Sequence, residues 1–175
     1  GNSVGMTVRN LILGAGCSFA WTGSTTEAAR HPMVGAICAR GKNVTIENCW
    51  NLAAVSGGRM SAGMLSRAVG TVRIANCTNS GAITGLQCVG GMVGFGAGNV
   101  TLAGCRNTGD VSIPGESIGE AKGRAAGGIV GRQLENATFE GCVNSGAVTG
   151  IYFAGGIAGT AEKAFVLKNN TNYGA

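Results

Sequence analysis

Residues Gly127 to Gly150 read GGIVGRQLENATFEGCVNSGAVTG, and the chain rewrites this stretch along most of its length. The order is Gly-Gly-Ile-Val-Gly, a short apolar run, Cys-x-Asn, then Ser-Gly-Ala-Val-Thr-Gly. Self-similarity at a fixed period of a few tens of residues means stacked units, so the period decides the architecture.

Cys49-Trp50-Asn51, Cys77-Thr78-Asn79, Cys105-Arg106-Asn107 and Cys142-Val143-Asn144 are four copies of one signature, and Asn170-Thr171-Asn172 is a fifth with the Cys replaced. The steps from copy to copy are 28, 28, 37 and 28. Gly35, Gly63, Gly91, Gly128 and Gly156 keep the same steps. The long step places an insertion of 9 residues between Pro114 and Arg124. The first segment is a looser copy, in which Asn10-Leu11-Ile12-Leu13 leads to Cys17 as the counterpart of Cys49.

Inside each unit apolar positions alternate: Val44 and Ile46 flank Thr45, Val72 and Ile74 flank Arg73, Val100 and Leu102 flank Thr101. Period two is a strand with one buried face. A second short strand falls at Ala82-Ile83-Thr84 and its equivalents, and the Gly-x-Ile/Met-Val segment is read as a third, with Gly, Asn and Ser turns between them. The expectation is an all-β fold, a single-stranded parallel β-helix (β-solenoid) of about 5–6 coils of ~28 residues, right-handed by the general preference of parallel crossovers. One domain spans 1–175. Residues 1–34 are read as an irregular N-terminal coil or cap, 35–175 as the regular coils, and 113–126 as an inserted loop. Both ends look cut, as in a fragment of a larger protein.

Composition narrows the function. The chain has 175 residues, 33 of them glycine, with 45% hydrophobic and 12% charged residues and a net charge of +5. The apolar content and strict register argue against a low-complexity linker. The basic residues are spread along the chain rather than clustered with stacking aromatics, so nucleic acid is not an expected partner. No apolar run has membrane-spanning length, so no membrane insertion is expected.

In a stacked fold Cys49, Cys77, Cys105 and Cys142 form a column. Three readings compete: small apolar side chains filling a corner, disulfides between neighbouring coils, and a metal site. The first is favoured, because a row of thiols is a line rather than a tetrahedron and the chain has no Cys-x-x-Cys and one histidine, His31. No metal and no cofactor are expected. Asn51, Asn79, Asn107, Asn144 and Asn172 would stack as well, each carboxamide donating to one neighbour and accepting from the other. The glycines two residues further on, Gly81, Gly109, Gly146 and Gly174, suit a bend with positive φ. Asn-x-Thr sequons at Asn43, Asn76, Asn99, Asn136 and Asn169 follow from turn Asn preceding strand Thr and are not read as glycosylation sites.

Gly90-Gly-Met-Val-Gly94, Gly127-Gly-Ile-Val-Gly131 and Gly155-Gly-Ile-Ala-Gly159, each followed by a Cys/Asn-containing strand, resemble the GLUG motif repeat over roughly residues 35–175. The Gly35 and Gly63 copies depart from the motif, at Ala36-Ile37-Cys38 and Met64-Leu65-Ser66. Such repeats occur in bacterial surface and secreted proteins, including adhesin-like proteins and regions of immunoglobulin A-cleaving metallopeptidases. The resemblance implies an extracellular or cell-surface stalk or adhesive module, with a glycan, a host protein or the rest of a parent polypeptide as partner. It brings no catalytic residues; the peptidase motif His-Glu-x-x-His is absent, since His31 precedes Pro32.

The alternative is a carbohydrate-active β-helix, lyase- or hydrolase-like, or its substrate-binding subdomain. That chemistry needs paired or clustered carboxylates. The chain has one aspartate, Asp110, and seven glutamates. Glu116 and Glu120 share the insertion, where a polar loop is the plainer reading, and Glu47 and Glu140 fall three coils apart, too wide for a pair. For sugar stacking, Trp50 is the first candidate, at the outward x of Cys-x-Asn, with Trp21 and Tyr152 on connecting segments. The competing reading has Trp21 and Phe19 capping the first coil and Trp50 packed under Arg30-His31-Pro32.

Overall fold

The computed structural model describes residues 2–23, 32–115 and 123–174. The described elements are all strands, paired in parallel, in three sheets of ten, six and eight strands. Sheet A holds the long strands Leu65–Ala75 and Val93–Ala103; sheet B holds two-residue strands such as Trp50–Asn51 and Thr78–Asn79; sheet C holds Ala54–Ala62 and Ile83–Gly90. The chain visits A, B and C in turn, and each strand pairs with its counterpart one repeat on: Arg73 with Thr101, Thr78 with Arg106, Ile83 with Val111. Across the insertion the offset becomes 37, as in Val100 with Ala137 and Cys88 with Ala125.

Alternation along sheet A decides what is buried. Ile46, Ile74, Leu102 and Phe139 lie in one register column, fully enclosed, with Val44, Val72 and Val100 two residues before the first three. They pack against the cysteine column at the edge of sheet B to form the larger core. Val55, Ile83, Val89, Val111 and Ala126 make a second one. Leu167 occupies the same register position beside Phe139 and is 50% exposed.

The turn from sheet A into sheet B uses a left-handed residue in every repeat. Asn10, Asn48, Asn76, Gly104, Gly141 and Asn169 have φ between 52° and 61°. Asn and Gly are the residues that take this conformation at little cost, which explains their alternation here.

Several expectations need correction. The Gly-Gly-Ile/Met-Val segment is a corner, not a strand: Ile83–Gly90 ends in sheet C, Gly91 and Met92 turn, and Val93 begins sheet A. The sheets meet there backbone to backbone; a Cβ on Gly94 would sit 2.8–3.0 Å from the carbonyl oxygens of Ser66, Ser61 and Cys88. The described part of the N-terminal segment is not irregular. Asn2–Val4, Thr7–Arg9, Ile12–Leu13 and Ser18–Ala20 pair in parallel with the following repeat, and Met33–Gly35 is already a strand of sheet C. Its register puts Leu13 beside Asn51, and Leu11 supplies the carbonyl that Cys49 supplies one rung later, so Cys17 is no counterpart of Cys49. Gly35 pairs with Ala62, just short of Gly63, because that rung runs one position behind the common period until Val69-Gly70-Thr71 makes it up. Gly81, Gly109, Gly146 and Gly174 do not have positive φ. They are glycine because the neighbouring rung passes too close, a Cβ on Gly109 lying 2.7 Å from the carbonyl carbon of Gly81. The inserted loop is shorter than 113–126: Ile113 is buried and bonded to Thr149, and Ala125–Gly127 is a buried strand. Glu116 and Glu120 lie outside the described residues.

Candidate functional site

The conspicuous polar residues of the repeat are consumed internally. The carboxamide nitrogen of Asn51 donates to Asn79 Oδ1 (2.8 Å), Asn79 to Asn107 (2.7 Å), Asn107 to Asn144 (2.7 Å) and Asn144 to Asn172 (2.8 Å). Each nitrogen also donates to the carbonyl two residues ahead, from Ala53 to Gly174. The first four side chains are buried, so both amide hydrogens and the oxygen find partners where water cannot supply them.

Cys49, Cys77, Cys105 and Cys142 are likewise buried and unbridged, and the Cys49 amide donates to Cys77 Sγ at 3.4 Å. Burial pushes the Cys77 thiol up to about 11. The hydrogen bond to Cys142, together with burial, holds the Cys105 thiol well above its usual range. Cys88, buried outside the column, is pushed up to about 12 by the same desolvation. Thiols so protonated are poor nucleophiles and poor metal ligands. Among the described residues no three His, Cys, Asp or Glu side chains converge on a metal-sized site.

The carboxylates of Glu47, Glu135, Glu162 and Asp110 are engaged. Glu47 meets Arg9 at 2.9 Å and Arg73 at 3.5 Å, with the Arg9 hydrogen bond holding its carboxyl below the usual range. Glu135 pairs with Lys163, Glu162 pairs with Arg132, and Asp110 accepts from the Ala147 amide. Glu47 and Glu140 are three rungs apart in one column.

The outward face of sheet B carries the three-dimensional feature closest to a site. Ile12, Trp50 and Thr78 stand side by side on successive rungs. Trp50 is 52% exposed and Ile12 62%. The left-handed turns place Asn10, Asn48 and Asn76 beside them, and the six residues line an open cleft of ≈ 470 Å³. Trp21 and Tyr152 are exposed to a similar degree (42% and 39%) but do not join this cleft. Trp21 follows the first strand of sheet C, its amide bonded to Ser56 O and its ring folded over Gly23, while Phe19 packs into the second core. Tyr152 lies near the other end of the stack, beside Phe153. Arg30 and His31, the expected cover of Trp50, lie outside the described residues; Pro32 is buried. The asparagine turns were readable in the sequence, since Asn10, Asn48 and Asn76 each directly precede the Leu11, Cys49 or Cys77 position. Comparisons with protein-family models, with curated proteins and with solved structures found no match for this chain.

Proposed function

We propose that the chain is a right-handed parallel β-helix of six coils acting as a non-enzymatic stalk or adhesive module of a bacterial surface or secreted protein, and that its ligand is a glycan. The β-helix reading is supported by three parallel sheets visited in strict rotation. The bacterial surface setting rests on the resemblance to GLUG repeats.

One observation carries the ligand: an exposed indole flanked by an aliphatic side chain on one rung, a threonine on the next, and a row of asparagine turns. A pyranose presents an apolar face to an aromatic ring and hydroxyls to surrounding amides, and this surface offers both. The openness of the cleft fits an extended chain laid across rungs better than an enclosed small molecule.

A glycan array tests it. Binding of neutral glycans without depolymerisation, lost in Trp50→Ala and kept in Tyr152→Ala, is the expected result. Undiminished neutral-glycan binding by Trp50→Ala overturns the placement, and release of shortened products overturns the non-enzymatic reading.

A further inference from the structure

On sheet A, Arg40 pairs with Arg67, Arg67 with Phe95, and Phe95 with Arg132. These residues stand on successive rungs about 4.8 Å apart. The Arg67 guanidinium carbon is 5.5 Å from the Phe95 ring centroid and that of Arg132 is 5.9 Å from it, so the ring is held between two cations. The Nε of Arg67 is shut off from water and meets no acceptor.

A further guanidinium faces the same corner. Arg59, on sheet C, donates to Gln87 at 3.2 Å, and Arg59 and Arg132 both act on the Cys88 thiol, easing the rise that burial imposes. Arg132 also lies against Gly123, where the insertion rejoins the sheet. Among the described residues the carboxylate that answers this group is Glu162, bound to Arg132. Arg59, Arg67 and Arg132 are partly withdrawn from water while Arg40, next in the row, is exposed, and like charges so gathered repel one another unless anions approach them. Arginine presents a planar fork that suits sulfate and carboxylate groups.

We infer that the row Arg40, Arg67, Phe95 and Arg132, with Arg59 beside it, is a binding site for a linear acidic polysaccharide, whose sulfate or carboxylate groups the arginines take up. This deepens the reading of the chain as a glycan-binding module and rests on it, but uses a different sheet from Trp50. A polysaccharide fits better than a nucleic acid because Phe95 is covered by guanidinium and offers no free ring for a base to stack on.

Calorimetric titration of the full chain with a size-defined heparin oligosaccharide tests it, with neutral dextran and a single-stranded oligonucleotide as comparisons. The wild type binds the sulfated probe and loses affinity as salt rises. Arg67→Gln/Arg132→Gln weakens binding by about tenfold or more. Arg73→Gln, whose partner is Glu47 on another column, and Trp50→Ala leave it unchanged. Arg132→Lys, which keeps the charge and loses the fork, falls between. Equal binding by the double Gln variant with unchanged circular dichroism, an equal loss in Arg73→Gln, or tighter binding of the oligonucleotide each overturns the proposal. Heparin binding that survives Trp50→Ala while neutral-glycan binding disappears separates this site from the sheet B cleft.

Discussion

The carboxamide of Asn172 stands where a Cβ on Gly156 would have to be, its Oδ1 only 2.5 Å from that point. The same relation joins Gly91 to Asn107 and Gly128 to Asn144, always at the same separation along the chain. The two signatures of the repeat are therefore one steric unit, the glycine clearing the space that the asparagine row fills.

Gly156→Ala is expected to cost ~1–3 kcal/mol by overpacking. Asn172→Ala, at the exposed end of the row, costs about 1 kcal/mol. The double variant costs less than their sum, because the atoms nearest the new Cβ all belong to Asn172. Gly128→Ala is not rescued by Asn144→Ala, since the Gly156 carbonyl also blocks that Cβ. Chemical denaturation of the singles and doubles measures both couplings.

Asn107 sits mid-row and is fully enclosed, so Asn107→Ala strands the Asn79 amide, the Asn144 oxygen and the Gly109 carbonyl. Each buried group left unpaired costs ~1–3 kcal/mol, which makes this substitution several times worse than Asn172→Ala in the same unfolding assay.

Thiol labelling of the native chain is expected to reach Cys17 at once and the other six cysteines only after unfolding, because Cys17 alone is exposed. Mass spectrometry counts the labels; rapid labelling of Cys77 or Cys105 refutes their burial.

Two of these buried thiols make stability depend on alkaline pH. Cys77 and Cys88 titrate at about 11 and about 12 in the folded state, above the ordinary 9.0. The folded chain holds protons that the unfolded chain releases, so their contribution is complete below pH 9 and is lost as pH rises through 11 to 12. The slope is at most ~1.4 kcal/mol per pH unit per thiol. Cys88→Ala flattens the decline in urea midpoint over this range.

Phe139 and Leu167 share a column, yet Phe139 is fully buried, edge-on to Phe165 at 4.8 Å, while Leu167 is half uncovered. Phe139→Ala is expected to cost ~3–5 kcal/mol, and Leu167→Ala well under the ~2–5 kcal/mol of a buried leucine. Thermal melts of the two variants check the difference.

The repeat period and the asparagine signature were legible because identical side chains on successive rungs must satisfy one another, which forces repetition of type. Cys17 misled because a cysteine is informative only in register. The first coil takes a longer path to its partner than the later ones do, and Leu11 and Leu13 occupy its Cys and Asn places. The local shift near Gly70 concealed the match of Gly35 to Ala62. The arginine row was hidden by uneven steps and by Phe95 in its midst. Its meaning lies in which charges the fold gathers, not in any local motif. Trp50 could be placed outward from its position at the x of Cys-x-Asn, and the asparagines readable one residue before each Leu11, Cys49 or Cys77 position become its flank only when the rungs stack.

Every link in the asparagine row points the same way, nitrogen toward the rung later in sequence. The stack thus has an arrow: its leading end offers amide hydrogen, and its trailing end is blunted by Leu13. A rung added to the leading end must arrive in the same sense, since one laid down backwards would oppose donor to donor. Growth of such a column is vectorial, and two copies meeting leading end to leading end cannot join their rows.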